Sequence, residues 1–273
     1  MSSLDKTNAL NRLPARILDA RRRLLRMHYE SGCGHIGGNL SCLDILMTLF
    51  HTVLRPQDQF VLSKGHAAGA LYTVLWTVGV LSDDDLRTFH KDDTRLGGHP
   101  SPRHVEQIPF ATGSLGHGLP LACGLALGRH LSGEPGRVYC LLSDGEWQEG
   151  SNWEALIFAA QRGLPLTIIV DRNGLQGFAR VRDLSGADLE EQFSAFGVAT
   201  SAVPGHDERA LHRSLAAPRF GTAAIIADTV KGSGVRFMED RLEWHYLPMT
   251  QEMYEQALAD LEAGGRIYTR RAA

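Results

Sequence analysis

The sequence predicts an α/β domain whose mostly parallel sheet is flanked by helices on both faces. Short apolar runs of strand length alternate with segments of helix length, and three of these runs end in polar, glycine-containing clusters. A length of 273 residues fits one large domain or two small ones. Because neither a repeat nor a low-complexity linker divides the chain, we predict one domain over residues 1–273 with short terminal extensions.

The first half of the chain is predicted to be mainly helical. Apolar residues at helical spacing predict a helix over residues 8–29, and a glycine-rich break separates it from a second helix over 40–50. A short strand at 60–62 precedes a helix over 67–78. Residues 83–109 are polar and rich in Asp, Gly, Pro and His, which predicts an extended loop; loops of that length are usually functional.

The second half alternates between strands and helices. Helices are predicted at 116–131, 150–162 and 207–217, and strands at 138–142, 166–170, 198–203 and 224–229. In open parallel sheets, ligands bind outside the carboxyl ends of the strands. The polar clusters SKGH, SDGE and DRNGL follow the strands at 60–62, 138–142 and 166–170, so they mark the predicted site.

Composition and charge exclude several classes of protein. The net charge of −3 leaves no basic excess for nucleic acid, and 43% hydrophobic residues are too many for a disordered chain. We predict no apolar stretch as long as the roughly 20 residues of a membrane span, and the N-terminus lacks an apolar signal-peptide core. The four cysteines are scattered without a CxxC pair, so we expect a reduced, cytoplasmic protein.

Asp144 and Asn173 are the first candidates for a metal site. Their carboxylate and amide oxygens are hard ligands that suit Mg²⁺, which also takes carbonyls, waters and phosphate oxygens. Gly145 would let its backbone N–H approach a diphosphate oxygen. The residue types alone leave open the alternative that Asp144 and Asn173 are ordinary turn residues.

Six segments of the chain resemble the transketolase family. Residues 143–176 are similar to the thiamine diphosphate motif, which opens with Gly-Asp-Gly and closes at a later Asn. Five more segments agree in the same order, at 31–41, 62–72, 97–101, 111–127 and 229–245. The resemblance covers nearly the whole chain. It implies a domain that uses thiamine diphosphate and Mg²⁺ to transfer a two-carbon ketol unit from a ketose phosphate to an aldose.

The resemblance also implies roles for individual residues. The Mg²⁺ ligands would be Asp144, Asn173 and the backbone carbonyl of Leu175. The cofactor would be held by His66, Gly113, Ser114, Leu115, Asp144, Gly145, Glu149, Asn173 and His245, with residues 113–115 around the aminopyrimidine ring.

Four histidines are implied to be catalytic because each lies inside a family motif: His35, His66, His99 and His245. His35 and His245 would move the proton of the C3 hydroxyl, His66 and His245 would also contact the diphosphate, and His99 would bind the C1 hydroxyl. Seven others are expected to be ordinary core or surface residues: His28, His51, His90, His104, His130, His206 and His212. A zinc site at His99 and His104 is disfavoured because Cys and carboxylate ligands do not cluster nearby.

The resemblance implies a partner chain. A full transketolase adds a pyrimidine-binding domain and a C-terminal domain, which contribute the glutamate that activates the aminopyrimidine and the phosphate-binding arginines. We therefore expect the N-terminal subunit of a split, α2β2 transketolase, with no nucleic-acid or membrane partner. Glu149 and Glu154 match acidic positions of the family's dimer interface, although they also fit solvated helix charges. Trp147 and Trp153 are expected to be exposed interface anchors.

Four positions depart from the family pattern. Ser143 replaces the first motif glycine, His117 a frequent glutamine, Ile36 a frequent proline and Tyr246 a frequent glycine. Tyr246 would place a phenol at the sugar end of the cleft, which points to an unusual ketose or a biosynthetic acceptor.

Three alternatives remain open. A 1-deoxyxylulose-5-phosphate synthase-like or keto-acid dehydrogenase subunit is disfavoured by the segments at 97–101, 148–150 and 244–245. A nicotinamide dehydrogenase is disfavoured because no GxGxxG follows the first strand. A non-catalytic scaffold or regulatory subunit is disfavoured by the intact set of metal and histidine candidates.

Overall fold

A computed structural model of the chain describes residues 3–103, 105–186 and 188–264. His104, one half of the disfavoured zinc pair, lies outside the described residues. The structure has a five-stranded sheet in the order β1-β2-β3-β5-β4, and each neighbouring pair of strands is parallel. The strands are β1 (Gln59–Leu62), β2 (Val138–Ser143), β3 (Leu166–Arg172), β4 (Ala199–Pro204) and β5 (Ala223–Asp228). The predicted fold class is confirmed.

The helices in the described part of the chain lie on both faces of the sheet. They are α1 (Ser3–Ser31), α2 (Ile36–Thr48), α3 (Ala68–Thr77), α4 (Asp83–Arg87), α5 (Gly118–Leu131), α6 (Gly150–Arg162), α7 (Val181–Leu184), α8 (Leu189–Ala195), α9 (Glu208–Leu215) and α10 (Gln251–Glu262). Successive strand residues point to opposite faces, so Phe60 and Leu62 join the core under α1, α2 and α3, whereas Val61 joins the core under α5, α6 and α8.

The sheet has a switch point at the carboxyl ends of β3 and β5. The chain passes from β2 to β3 through α6 on one face, and from β4 to β5 through α9 on the other face. Right-handed crossovers on opposite faces build the sheet in opposite directions, and the two directions meet between β3 and β5. A crevice is expected at this edge, where the polar strand-end clusters lie.

One described segment is long and apolar enough to cross a membrane, contrary to the sequence prediction. It runs over Ile36–Val53, because α2 continues into a π-helical turn, Leu49–Val53. This 18-residue segment is 89% buried in the fold. Its apolar character is therefore explained by packing against α1, α3 and α9, as in the core helix of a globular domain.

Four helices differ from the sequence prediction. The shortest of them, α7, was not predicted, because it is a single turn without a buried residue and so leaves no apolar pattern in the sequence. The predicted loop over 83–109 begins with α4, whose first turn is closed by a capping box between Ser82 and Asp85. Helices α8 and α10 were not predicted. Both are capped, by Asp188 and Thr250, but each buries only two or three residues, which is too sparse a pattern for helical periodicity to reveal.

The prediction that Trp147 and Trp153 are exposed anchors is wrong. Trp147 is 3% exposed, and its ring packs 4.4 Å from that of Phe193 and 5.0 Å from that of Trp153. The Trp153 indole N–H donates to the Trp147 carbonyl at 2.7 Å. Phe193 comes from α8, so the unpredicted helix provides the packing that buries Trp147 and half-buries Trp153.

Candidate active site

His35 lies in a strained turn between α1 and α2. Its φ is 67°, in the left-handed region that residues other than glycine rarely adopt. Its N–H donates to the carbonyl of His245 at 2.9 Å, and the Asn39 side chain donates to the His35 carbonyl at 2.8 Å. Behind the turn, the buried ring of His28 is hydrogen-bonded to the Cys33 carbonyl at 3.1 Å. These contacts hold the backbone of the turn from which the His35 imidazole extends.

The four histidines predicted to be catalytic converge on one cleft of about 430 Å³. The ring of His35 lies 5.1 Å from that of His245, 5.6 Å from that of His66 and 6.0 Å from that of His99. His66 follows the end of β1 and His245 ends a 3-10 turn, Leu242–His245. The cleft therefore collects side chains from segments that are far apart in the sequence.

Asp144 lies beside this cleft, directly after β2. The residue is 3% exposed, and its carboxylate accepts hydrogen bonds from the N–H groups of Gly174 at 2.5 Å and Gly145 at 2.9 Å. Burial, then the nearby carboxylate of Asp171, raises the pKa of Asp144 to about 7. A divalent cation would supply the positive charge that keeps this buried carboxylate ionised near neutral pH.

Asn173 follows β3 and turns its amide oxygen away from Asp171. Its Nδ2 lies 3.5 Å from Asp171 Oδ2, while its Oδ1 accepts from the Leu175 N–H at 3.0 Å. Together with Asp144 and the Leu175 carbonyl, it offers the carboxylate, amide and carbonyl oxygens that Mg²⁺ prefers. Within the described ranges, no three or more His, Cys, Asp or Glu side chains gather around a possible metal site, so zinc-type clusters are not indicated there.

A buried ion pair supports the metal side of the cleft. Lys64 donates to Asp171 and to the Gly38 carbonyl, and both side chains are fully buried. Asp171 also accepts from Ser41 at 2.6 Å and from Thr229. Burial would raise the pKa of Asp171, but the charge and hydrogen bond of Lys64 outweigh it and leave this pKa below its usual value. The pair joins α2 and the ends of β1, β3 and β5.

Lys231 provides a second positive charge, after β5. It is 2% exposed, and its Nζ donates to the Gln176 carbonyl at 2.8 Å and to His245 Nδ1 at 3.0 Å. Burial and the charge of Lys64 lower the pKa of Lys231 to about 8. The cleft therefore has a buried cation next to the predicted metal ligands, which suits a diphosphate.

Two further features fit an anionic cofactor with a flat ring. Gln176 Nε2 is buried and finds no hydrogen-bond partner in the part of the chain that the structure describes, so it is a donor without an acceptor. A Cβ at Gly145 would lie 2.7 Å from Gln176 Cγ, and a Cβ at Gly113 would lie 2.8 Å from His99 Cδ2. Glycine at both positions keeps the cleft open for close backbone approach.

The histidines of the cleft are neutral near pH 7. Burial, then the charge of Lys231, lowers the pKa of His245 to about 3, and burial followed by His99 lowers that of His35 to about 4. Burial and Lys64 hold the pKa of His66 well below its usual value, and burial lowers that of His99. Because lysine only donates, we assign His245 Nδ1 as acceptor and Nε2 as protonated.

Acid should destabilise the isolated chain when pH falls from about 6.5 toward about 4. The folded histidines have lowered pKa values, so the unfolded chain binds more protons in this range and the free energy of unfolding falls. We expect a His66→Asn variant to lose a smaller part of its thermal midpoint than wild type between about pH 7.5 and about pH 5. Calorimetry checks this, with the exposed His117→Asn as control. Equal losses in wild type and His66→Asn would contradict it.

Most of the predicted site residues line the cleft, and the rest lie beside it. The lining includes His35, His66, His99, Gly113, Leu115, Gly145, Glu149, Asn173, Leu175 and His245. Ser114 is exposed between two lining residues. Glu149 is exposed at the lip of the cleft, whereas Glu154 lies exposed on α6, outside the lining.

Sequence reasoning missed Lys64, Asp171, Gln176 and Lys231. Each lies within a few residues of a strand end and inside a segment already identified by its motif. The signal that could have found these residues was their location at or after the end of a predicted parallel strand. Nothing in the sequence, however, shows that Lys64 pairs with Asp171 or that Lys231 reaches His245.

Fold and cleft together define an α/β domain that binds an anionic cofactor and a divalent metal at the carboxyl edge of its sheet. Residues 16–261 match the family model described as the transketolase thiamine diphosphate binding domain. The chain therefore belongs to the transketolase family. The cofactor of this domain is thiamine diphosphate with a divalent metal, as predicted.

Two relatives that are named as transketolase subunits match the chain over most of their length. It is 37% identical over 256 residues to one subunit of the apulose-4-phosphate transketolase of Actinobacillus succinogenes, with 89% of this chain and 93% of that subunit covered. It is 32% identical over 248 residues to the 6-deoxy-6-sulfo-D-fructose transketolase subunit SqwG of a Clostridium species, with 86% and 90% covered.

The solved transketolase of Campylobacter jejuni superposes with a TM-score of 0.81 at 26% identity, over 96% of this chain and 43% of that chain. The chain thus spans about nine-tenths of the subunit relatives but less than half of the single-chain enzyme.

Proposed function

We propose that this chain is the cofactor-binding subunit of a two-chain transketolase that transfers a two-carbon ketol unit from a ketose phosphate to an aldose. The observation that carries the proposal is the convergence of four neutral histidines, a buried carboxylate–amide pair and a buried lysine on one cleft. This set combines a metal and diphosphate site with groups that can bind and move protons on a polyhydroxylated substrate.

The chain's own residues divide into a holding set and a reacting set. Asp144, Asn173 and the Leu175 carbonyl would hold the metal, and Lys231 would bind diphosphate oxygens. The Gly145 N–H, which donates to Asp144 at 2.9 Å in this structure, would turn to a diphosphate oxygen when the metal binds that carboxylate. Thiamine diphosphate, when bound, supplies the nucleophilic carbon that accepts the two-carbon unit. His66 would contact both the diphosphate and the sugar.

The reacting set lies at the sugar end of the cleft. His245 Nε2–H would donate to a substrate oxygen while its Nδ1 stays bound to Lys231. The ring of His35 lies 5.1 Å away, so its unprotonated ring nitrogen would take the C3 hydroxyl proton as the C2–C3 bond breaks, while His245 stays hydrogen-bonded to the substrate. His99, 6.0 Å from His35, would bind the C1 hydroxyl.

A partner subunit would complete the site. The relatives that this chain nearly spans are named as subunits, whereas the chain covers less than half of the single-chain enzyme. We propose a partner with a pyrimidine-binding domain and a C-terminal domain in an α2β2 assembly. It would supply the activating glutamate and the phosphate-binding arginines, and it would meet Glu149 at the lip of the cleft.

An exposed apolar face next to the cleft suits this partner. On α5, Leu121, Gly124, Leu125 and Gly128 follow one another at helical spacing, and a Cβ at either glycine would meet no described atom within 4 Å. The adjacent face of α6 exposes Phe158. Because α5 starts shortly after the cleft-lining Leu115, a partner that closes the cleft can also cover this face.

A reconstitution assay tests the proposed function. The chain, the product of the adjacent gene and their mixture are each assayed with Mg²⁺, thiamine diphosphate, xylulose 5-phosphate and ribose 5-phosphate. We expect ketol transfer in the mixture only, because each chain alone has an incomplete site. Cofactor binding by calorimetry without any ketol transfer over a panel of ketoses would contradict the transketolase reaction.

The same mixture tests the docking face. Gly124→Leu should weaken the association of the two chains at least about tenfold, since a leucine side chain would hold the partner's surface away from α5. Ala259→Leu is the matched control, because Ala259 is an exposed small residue on α10, on the opposite layer of the sheet. Sedimentation velocity measures the association, and an unchanged affinity for Gly124→Leu would remove this face from the interface.

A further inference from the structure

Tyr246 lies at the sugar end of the cleft, directly against two of the four histidines. Its ring centroid is 4.6 Å from that of His245, at an interplanar angle of 62°, and 6.3 Å from that of His35. Its backbone is also fixed, because its N–H donates to the Glu243 carbonyl at 3.1 Å and its own carbonyl packs against Gly34. The phenol is therefore held beside the groups proposed to act on the C3 hydroxyl.

The side chain of Tyr246 reaches across the cleft to its opposite lip. A Cβ at Gly177 would overlap the Tyr246 hydroxyl, and the same Cβ would lie 3.6 Å from His245 Cδ2. Gly177 and Phe178 belong to the loop after β3, whereas Tyr246 follows the 3-10 turn at Leu242–His245. The phenol thus joins the two lips, and its ring occupies the space between His245 and Gly177. The residue is 61% exposed, so the outer side of the ring faces solvent.

We infer that Tyr246 is a specificity-determining residue that limits how far a ketose can extend beyond the bond that is cleaved. The inference rests on the proposed function, which puts the two-carbon end of the donor among the four histidines. The remaining carbons must leave the cleft past the phenol. A longer chain has to displace the ring from His245 and Gly177, whereas a shorter donor ends before this contact.

The proposed role of Tyr246 as a steric wall, which limits the length of the donor, is tested by varying that length. The reconstituted holoenzyme is given xylulose 5-phosphate, fructose 6-phosphate and sedoheptulose 7-phosphate, and kcat/KM is measured for each with one acceptor. We expect wild type to prefer the five-carbon donor. Tyr246→Gly should raise kcat/KM for the seven-carbon donor relative to the five-carbon donor at least about tenfold, the low end of what pocket size contributes to discrimination.

Two variants separate a steric wall from other roles of the residue. Tyr246→Phe keeps the ring and loses the hydroxyl, so it should retain the wild-type ratio. Leu247→Ala, at the neighbouring exposed residue outside the cleft lining, should also retain it. Three results would each overturn the inference. Wild type could show no preference for donor length, or Tyr246→Gly could leave the ratio of kcat/KM between the seven-carbon and five-carbon donors unchanged. The third result is a ratio in Tyr246→Phe that equals the ratio in Tyr246→Gly.

Binding measurements keep this test separate from the proposed reaction. The dissociation constants of the same three sugar phosphates are measured by calorimetry on wild type and Tyr246→Gly complexes. If no donor is turned over but Tyr246→Gly binds the longer sugars better relative to the shorter one, the proposed reaction fails and the role of Tyr246 as a steric limit stands. If turnover occurs and Tyr246→Gly changes neither the relative affinities nor the relative kcat/KM values of the donors, the role of Tyr246 fails and the reaction stands. If none of the three sugars binds or reacts, both fail.

Discussion

Asp144→Asn should weaken the binding of thiamine diphosphate with Mg²⁺ at least about 100-fold. The substitution keeps the size of the side chain but removes the negative charge that faces the cation. Each of the two carboxylate oxygens of Asp144 accepts a backbone N–H, one from Gly145 and the other from Gly174. In Asp144→Asn, an amide NH₂ replaces one of these oxygens, so one of the two hydrogen bonds is lost. Calorimetric titration of the reconstituted complex with cofactor and metal measures the effect directly.

The control for this prediction is Asp84→Asn. Asp84 belongs to α4, and its side chain is 86% exposed and paired with Arg87. It should bind cofactor as wild type does, so a loss of affinity in both variants would point to a general effect of charge. Wild-type affinity in Asp144→Asn would remove Asp144 from the metal site.

The metal affinity of the wild type should also depend on pH. Asp144 must be deprotonated to bind a cation, and its pKa is raised to about 7 by burial and by Asp171. Affinity should therefore fall as pH drops below about 7, by up to about tenfold per unit of pH while one proton is displaced. The same titration of Asp144→Asn should show a much smaller dependence over that range.

His245→Ala should reduce ketol transfer by the reconstituted enzyme by about 10²–10⁴-fold, the usual contribution of a general acid–base side chain. Its cofactor affinity should change by less than about tenfold, because Lys231 and the metal ligands remain. Steady-state kinetics and calorimetry on the same preparation separate the two effects. The separation matters because His245 contacts Lys231 at 3.0 Å and so lies between the diphosphate and the sugar ends.

His130→Ala is the matched histidine control, since His130 is exposed near the end of α5 and lies outside the cleft lining. It should retain wild-type turnover. Equal turnover in His245→Ala and wild type would exclude His245 from the reacting set. A parallel loss of cofactor affinity and turnover would instead assign it to cofactor binding alone.

The histidine cluster and the ion pair explain how the cleft keeps its groups ready at neutral pH. Lys64 is neutralised by Asp171, whereas Lys231 keeps its charge between the proposed diphosphate site and His245. The charge of Lys231 and burial both favour a neutral His245, so this imidazole has one donor and one acceptor nitrogen. Because Lys231 occupies its acceptor nitrogen, His245 presents a donor to the substrate, whereas the neutral imidazole of His35 has a ring nitrogen that can take up a proton.

Elements with a strong local pattern were predictable from the sequence. The predicted helix over 150–162 coincides with α6, whose end is set by Gly163 in the left-handed conformation. The strands at 138–142 and 166–170 were placed to within two residues, because unbroken apolar runs between polar clusters are typical of buried parallel strands. Helices α8 and α10 escaped prediction because they bury too few residues to create a pattern.

The sequence by itself determined the α/β class, the family and the four histidine motifs, because these depend on residue types at short spacing and on their order. Only the tertiary structure decided which distant side chains meet. It pairs Lys64 with Asp171, directs Lys231 to His245, covers Trp147 with Phe193 and carries Tyr246 across to Gly177. The physical reason is that a parallel sheet joins its strand ends through long crossovers, so the residues that share one edge are separated by whole helices in the chain.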